Sequence, residues 1–321
     1  MTRRFNHIGV MFFFCAATAF AQPANRSSVG GLAGAPLRMG FGTRGAGMGN
    51  AMSAVITGDL AAYYNPALLP LQQRPLGTAA FSSLSLDRRL NFLSYGQSLK
   101  PSAGIAFGII NAGVSNIEGR DRDGIQTDTY STSENAFMLS FGLLLDRQIS
   151  VGITAKLLYF SLFDQVSSST LGLDAGVLYQ ITEEMTVAFV LLDINSKYVW
   201  DTSKLFGRQG NSTTDRFPLR KRLGFAYAPL ESEFVTSAEM EFLESETFLR
   251  FGSEVSLGQG FTIRAGAEQV DFSARIDFKP SMGLSFQSDQ VSWHPKLSYA
   301  YVFEPYSPSG IHIFSISVSP E

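Results

Sequence analysis

Thr170–Gln180 reads TLGLDAGVLYQ, and its two sides differ. Leu171, Leu173, Ala175, Val177 and Tyr179 share one face, while Gly172, Asp174, Gly176 and Gln180 share the other. Successive Cβ atoms point to opposite sides of a strand, so this segment is a β-strand with one apolar and one polar or small face. Phe137, Leu139, Phe141, Leu143 and Leu145 repeat the apolar row opposite Glu134, Ser140 and Gly142. Ile276, Phe278, Met282, Leu284 and Phe286 do so opposite Arg275, Asp277, Lys279, Ser281, Gly283, Ser285 and Gln287. Fourteen strands are predicted, starting near residues 77, 90, 103, 134, 149, 170, 185, 219, 234, 246, 260, 275, 293 and 310. Near 77–86 and 185–194 the alternation is poor, and spacing alone places the strands.

Alternation suits a soluble sandwich as well as a barrel, so the connections decide. Every second one is short, as in Lys100–Ser102, Asp146–Gln148, Ile181–Glu184 and Gly258–Gln259. The others include the polar loops Gly113–Ser133 and Asn195–Pro218 and the Pro-rich Glu304–Ser309. Short turns on one rim, longer loops on the other and an even strand number are the pattern of outer-membrane barrels. Closure leaves no strand edge for lipid to satisfy. The expected fold is all-β: a fourteen-stranded antiparallel transmembrane barrel over residues 77–321. Its lumen would receive the charges opposite the apolar rows: Lys156, Asp174, Arg222, Glu239, Glu241, Arg250, Glu254, Arg264, Glu268, Arg275 and Asp277. Mixed signs would let them pair with one another or with an inserted segment. In a sandwich the same face would be solvated.

Composition narrows the classes further. The 321 residues are 45% hydrophobic and 17% charged, which excludes disorder. A formal charge of -3 offers no basic footprint, so nucleic acid is not an expected partner. Mean hydropathy is only +0.08, and no apolar run approaches the ~18–20 residues of a membrane helix. Residues 1–21, MTRRFNHIGVMFFFCAATAFA, have the positive start, apolar middle and Ala19-Phe20-Ala21 ending of a secretory leader cut after Ala21. Cys15, the single cysteine, lies in that leader and lacks the small residues that precede a lipidated cysteine. Export to the bacterial outer membrane, without disulfides, is therefore expected.

Residues 22–76 do not alternate and form a separate predicted unit. Phe41–Ala51 reads FGTRGAGMGNA, and Asp59–Ala67 reads DLAAYYNPA. A dinucleotide loop G-x-G-x-x-G fails, because Asn50 stands where the third glycine belongs. The residues predict a compact glycine-packed plug in which Gly42, Gly45, Gly47 and Gly49 permit close approach or positive φ. Asp59 is expected to cap a helical turn over Leu60–Tyr64 that ends before Pro66.

These two stretches, with Leu37–Leu71 around them, resemble the N-terminal signature of the PorV/PorQ proteins of the FadL-like outer-membrane superfamily. The resemblance implies a hatch folded into the lumen, carried here by Gly42, Arg44, Gly45, Gly47, Met48, Gly49, Asn50, Asn65, Pro66 and Ala67. Two features depart from the pattern: Leu68 follows Asn-Pro-Ala where the family has glycine, and Ser317–Glu321 lacks a terminal aromatic residue. PorV/PorQ-like members are associated with type IX secretion as carriers or anchors of exported proteins, so assistance to export or surface attachment is the leading functional expectation. FadL-like members resemble passive channels for long-chain fatty acids and other hydrophobic small molecules, which is the alternative. Partners would be outer-membrane lipid and either secretion components or a hydrophobic ligand.

Signals for chemistry are sparse, and no enzyme activity or cofactor is expected. His294 and His312 lie on the last two strands and read as rim residues. No His/Cys/Asp spacing suggests zinc. Asp121-Arg-Asp-Gly124 reads as a loop-tip turn rather than a calcium loop. Tyr198 and Trp200 are expected to be interface anchors.

Overall fold

The computed structural model describes residues 31–163, 166–230, 233–244, 246–270, 278–305, 307 and 309–320. The leader, residues 22–30, Arg275 and Asp277 lie outside that set. The strands are β1 (Leu76–Ser83), β2 (Arg88–Leu99), β3 (Ala103–Arg120), β4 (Gln126–Leu144), β5 (Ile149–Phe163), β6 (Val166–Gln180), β7 (Met185–Ile194), β8 (Lys197–Asp201) and β9 (Ser212–Arg216). They continue as β10 (Arg220–Tyr227), β11 (Phe234–Leu243), β12 (Glu246–Gly258), β13 (Phe261–Val270), β14 (Lys279–Gln287), β15 (Lys296–Val302) and β16 (Ile311–Val318). β1–β7 and β10–β16 form one closed antiparallel barrel in which β7 pairs with β10 and β16 with β1. That is the expected fourteen-stranded barrel, with strand starts close to the predicted ones except for β4, which begins at Gln126 and not near 134. Among the described residues no helix is long and apolar enough to cross a membrane; this barrel crosses with strands.

The exterior is greasy for a reason visible in the register. Ile316, Ala79, Leu93, Ile109, Phe137, Leu157 and Leu171 stand opposite one another across seven strands from β16 to β6. Two residues nearer the long-loop rim the row is Phe314, Phe81, Asn91, Asn111, Asn135, Tyr159 and Ser169. Two further on it is His312, Ser83, Arg89, Gly113, Ser133, Ser161 and Ser167. The apolar band therefore ends at one cross-strand row. Asn111 donates to Asn135 Oδ1 at 2.7 Å there, which satisfies amides that face the lipid boundary.

Two loops contain more structure than their composition predicts. Gly113–Ser133 continues β3 and β4 beyond the apolar band as a hairpin, closed at Asp121, whose Oδ1 accepts from the amides of Asp123 and Ile125. Its alternation is obscured by register shifts between Val114 and Ile117 and between Glu118 and Arg120, where Asn116 has φ 58°. Asn195–Pro218 holds the β8–β9 hairpin. The interface-anchor expectation is corrected there. Tyr198 is 2% exposed and packs against Phe160, Trp200 and Phe217, while its hydroxyl donates to Glu134. Trp200 packs on Phe160 and donates to Asp215. The hairpin folds its aromatic residues onto the barrel mouth and not toward lipid. Burial and the Glu134 carboxylate push the Tyr198 phenol up from its ordinary pKa.

The lipid-facing assignment has a direct check. Leu139 is 57% exposed in the middle of the apolar band on β4. Leu139→Arg is expected to destabilise the barrel by about 2–4 kcal/mol. Leu86→Arg, in the β1–β2 loop, should stay within about 0.5 kcal/mol. Chemical unfolding in liposomes reads both.

Candidate functional site

Residues 31–75 run inside the barrel, and the wall opposite them is built to receive them. Gly104, Gly142, Gly152 and Gly176 stand in register across β3–β6. A 3-10 helix, Pro66–Leu71, lies in the trough they leave: a Cβ on Gly142 would come 2.6 Å from the Pro66 carbonyl oxygen, and one on Gly104 would strike the Leu69 backbone. The expected turn before Pro66 is present, with the Tyr64 amide donating to Ala61 O at 3.0 Å, but Asp59 does not cap it and pairs with Lys296 instead. Asn65 caps the 3-10 helix, and its Oδ1 accepts from the Ala67 amide at 2.9 Å. Pro66 starts that helix, because its missing N–H falls where a helix needs no donor. The Asn65 side chain also donates to Ser53 O, and Ser150 donates to Ala67 O.

The glycine-rich stretch makes a short helix, α1 (Gly42–Gly47), followed by a turn with Gly49 at φ 57° and Asn50 at φ 59°. Gly49 lies against β12 and β13, where a Cβ would come 2.5 Å from the Ala267 amide nitrogen. Gly45 accommodates the Tyr64 hydroxyl, which receives the Phe41 amide, donates toward Asn50 Oδ1 at 2.7 Å and lies 3.1 Å from Phe41 O. The remaining signature residues serve the same seating: Met48 is fully buried, and Gly47 packs on Gly283 of β14.

The lumen has two unlike walls. One, from β5 to β13, carries charge in neighbouring-strand pairs. Arg222 stands opposite Glu241, Glu239 opposite Arg250, and Glu254 opposite Arg264. Arg222 bonds Glu241, Arg250 reaches Glu241 at 2.9 Å and Glu268 at 3.2 Å, and Arg264 reaches Glu254 at 2.5 Å. The inserted segment joins this network. Arg44 makes a two-point pair with Glu254 (2.7 and 3.0 Å) and donates to Thr57 O and Asp59 O. Asn50 donates to Glu268, and the Ser53 amide to Glu239. Asp59 pairs with Lys296. All six candidate lumen charges are thus brought together. A second cluster was only half legible: Lys156 and Asp174 were expected, whereas Asp193 and Arg220 complete it. Asp193 accepts from Lys156 at 2.6 Å and Arg220 at 2.9 Å. Asp193 sits in a bulge at φ 63°, where Leu192 and Asp193 together oppose Asp174, so strict alternation cannot assign its face. Arg220 shares the parity of Arg222, and that signal could have found it.

The other wall, from β15 through β16 to β4, carries few charges, chiefly Lys296 of β15 at one end and Glu134 of β4 at the other. Ala300, Ile313, Leu90, Ala112, Phe92, Ile110 and Ala136 line it. Cavities follow this wall. Two lie toward the long-loop rim: one of about 170 Å³ includes Leu84, Leu90 and Phe160 and is bordered by Arg88, Arg89 and Glu134, and one of about 210 Å³ includes Leu90, Phe92, Val302 and Ile313. Charge enters the second only at its side, from Arg38, Glu268, Lys279 and Glu304, with Lys279 paired to Glu304. Deeper lie two slots of about 30 and 50 Å³ that share Phe41, Leu60, Ala61 and Ser94, and the second also borders Arg44, Asp59 and Arg264. A polar chamber of about 420 Å³ opens at the short-turn rim around Arg74, Asp289, His294 and Lys296. His294 Nδ1 is 2.9 Å from Asp289, and His312 Nδ1 is 2.8 Å from the Tyr299 hydroxyl. Among the described residues no cluster of His, Cys, Asp or Glu is arranged to hold a metal.

No protein-family model and no curated protein matches the sequence. The fold does have solved counterparts. The chain is similar to the toluene transporter TodX of Pseudomonas putida (TM-score 0.60, 13% identity, 87% of this chain and 96% of that one). It is equally similar to the toluene transporter TbuX of Ralstonia pickettii (TM-score 0.62, 11% identity, 88% and 98%). A FadL homologue of Pseudomonas aeruginosa also matches (TM-score 0.59, 10% identity, 87% and 98%). The chain has the fold of FadL-type barrels.

Seating of residues 31–75 depends on backbone clearance at the glycine trough. Gly152→Val is expected to leave the barrel folded, with its mobility on gels still changed by boiling, while making residues 31–75 accessible to added protease. Ala155→Val, on the lipid face of the same strand, should change neither. Glu241→Ala is expected to destabilise the protein by about 3–5 kcal/mol, since Arg222 and Arg250 lose a buried partner.

Proposed function

We propose that this protein passes hydrophobic small molecules across the outer membrane by diffusion along the sparsely charged wall of its lumen, with residues 31–75 as the hatch. The observation that carries this reading is the division of the lumen. Charge on one wall holds the inserted segment, while the successive cavities border the other wall, from the long-loop rim to the short-turn rim. An apolar molecule is best served by a path along which it disturbs few ion pairs, and this wall carries far fewer of them than the other. Long-chain fatty acids and single-ring hydrocarbons suit such a path; the fold shared with two toluene transporters supports the hydrocarbon choice. The site residues then take these roles: Gly42–Asn50 and Asn65–Ala67 shape the hatch, and Arg222, Glu239, Arg250, Glu254, Arg264 and Glu268 tether it. Export of the chain would use the leader ending at Ala21.

The signature shared with PorV/PorQ proteins over residues 37–71 favours a second reading, assistance to protein export or surface attachment. It stands behind the first because the hatch residues serve seating in either case, whereas the cavities are needed only for a ligand. A deletion strain separates the two. Slower uptake of labelled toluene and oleate, restored by the gene, is expected under the first reading, with an unchanged surface proteome. Unchanged uptake of both compounds would overturn it, and loss of surface proteins would establish the second.

A further inference from the structure

We infer that Phe92, with Phe41 of the inserted segment, is the constriction that selects ligands by width, admitting single rings and unbranched chains but not fused rings. This rests on the transport reading and sharpens its substrate class. The barrel register locates the constriction. Ser82, Leu90, Ala112, Glu134 and Phe160 form one lumen-facing row, and the cavities of about 170 and 210 Å³ include residues of that row and of the wall nearer the long-loop rim. Thr78, Ser94, Gly108 and Met138 form the row four residues deeper, where the narrow slots begin. Between them runs a row of Ala80, Phe92, Ile110, Ala136 and Leu158, every member of which is at most 4% exposed. Cavities lie on both sides of this row, and the row itself is filled.

What fills it is aromatic. The Phe41 ring lies 5.0 Å from that of Phe92 and stacks on Tyr63 at 5.5 Å; Tyr63 meets Tyr64 edge-on at 4.9 Å. The phenols are anchored, since Tyr63 donates to Leu37 O and the Tyr64 hydroxyl receives the Phe41 amide. The Phe41 backbone is therefore held, and the free coordinates at this level are side-chain rotations of Phe41 and Phe92. Rotating one phenyl ring vacates the space of one phenyl ring, between Ala80, which has no rotatable side chain to move aside, and the fully buried Ile110. A second fused ring would have to displace backbone, and packed interiors resist extra volume. Phe92 is the only aromatic side chain of this row, whose other members are Ala80, Ile110, Ala136 and Leu158.

The test uses full-length protein in liposomes, with toluene and naphthalene uptake measured side by side. Phe92→Ala is expected to raise the naphthalene-to-toluene rate ratio by about tenfold, equivalent to about 1.4 kcal/mol at the barrier, and Phe41→Leu to raise it in the same direction. Phe92→Trp should slow both compounds, naphthalene more. Boiling-dependent gel mobility confirms that each variant is folded; should Phe92→Ala fail that check, Phe92→Leu replaces it. A wild-type protein that carries toluene while its ratio is unmoved by these variants overturns the constriction alone. A wild-type protein that carries neither compound overturns the transport reading and the constriction together.

Discussion

A backbone amide in hydrocarbon has no water to turn to, and an unpaired one costs several kcal/mol. Everything else in this structure depends on how that demand is met. Fourteen strands close on themselves through the β16–β1 pairing, so no spanning strand has a free edge. Closure then assigns the side chains: alternate residues face lipid or lumen, and the apolar ones face lipid. The usual relation of core to surface is inverted. Leu139, Ile153 and Phe314 are more than half exposed, whereas Arg220 and Arg222 are among the most buried side chains of the protein.

That inversion creates a second problem, because a barrel of this size encloses more space than its own inward side chains fill. Residues 31–75 occupy it, and they are held differently on the two sides. On the charged wall, cross-strand register pairs opposite charges, and Arg44 and Asn50 enter the same network. Such buried pairs add little net stability compared with apolar packing, but breaking one is costly, so they define a single seating. On the sparsely charged wall contacts are apolar, small and imperfect, and the cavities are there. A tether on one side and slack on the other is what the proposed hatch would need in order to stay in register while a ligand moved past it.

Much of this was legible in the sequence because its signals are local. Alternation in Thr170–Gln180 and its equivalents located strands to within a few residues, and parity put Arg222, Glu239, Arg250, Glu254, Arg264 and Glu268 inside. Where local rules failed, a local irregularity was responsible. The bulge at Asp193 breaks parity, the shifted register after Val114 disguises a hairpin as a loop, and Pro66 reads only as the end of a turn although its cap, Asn65, makes it also a helix start. The leading expectation of a secretion role came from the hatch signature alone, and seating explains those residues without reference to any partner.

The amino-acid sequence by itself determined the transmembrane barrel, the number of its strands and the greasy composition turned outward, because those follow from a period of two and from turn spacing. It could not determine that four glycines from four strands meet in one trough, that the charges gather on one wall, or that Phe41 and Phe92 meet across the lumen. Those are products of register and closure, which bring together residues that no sequence interval relates.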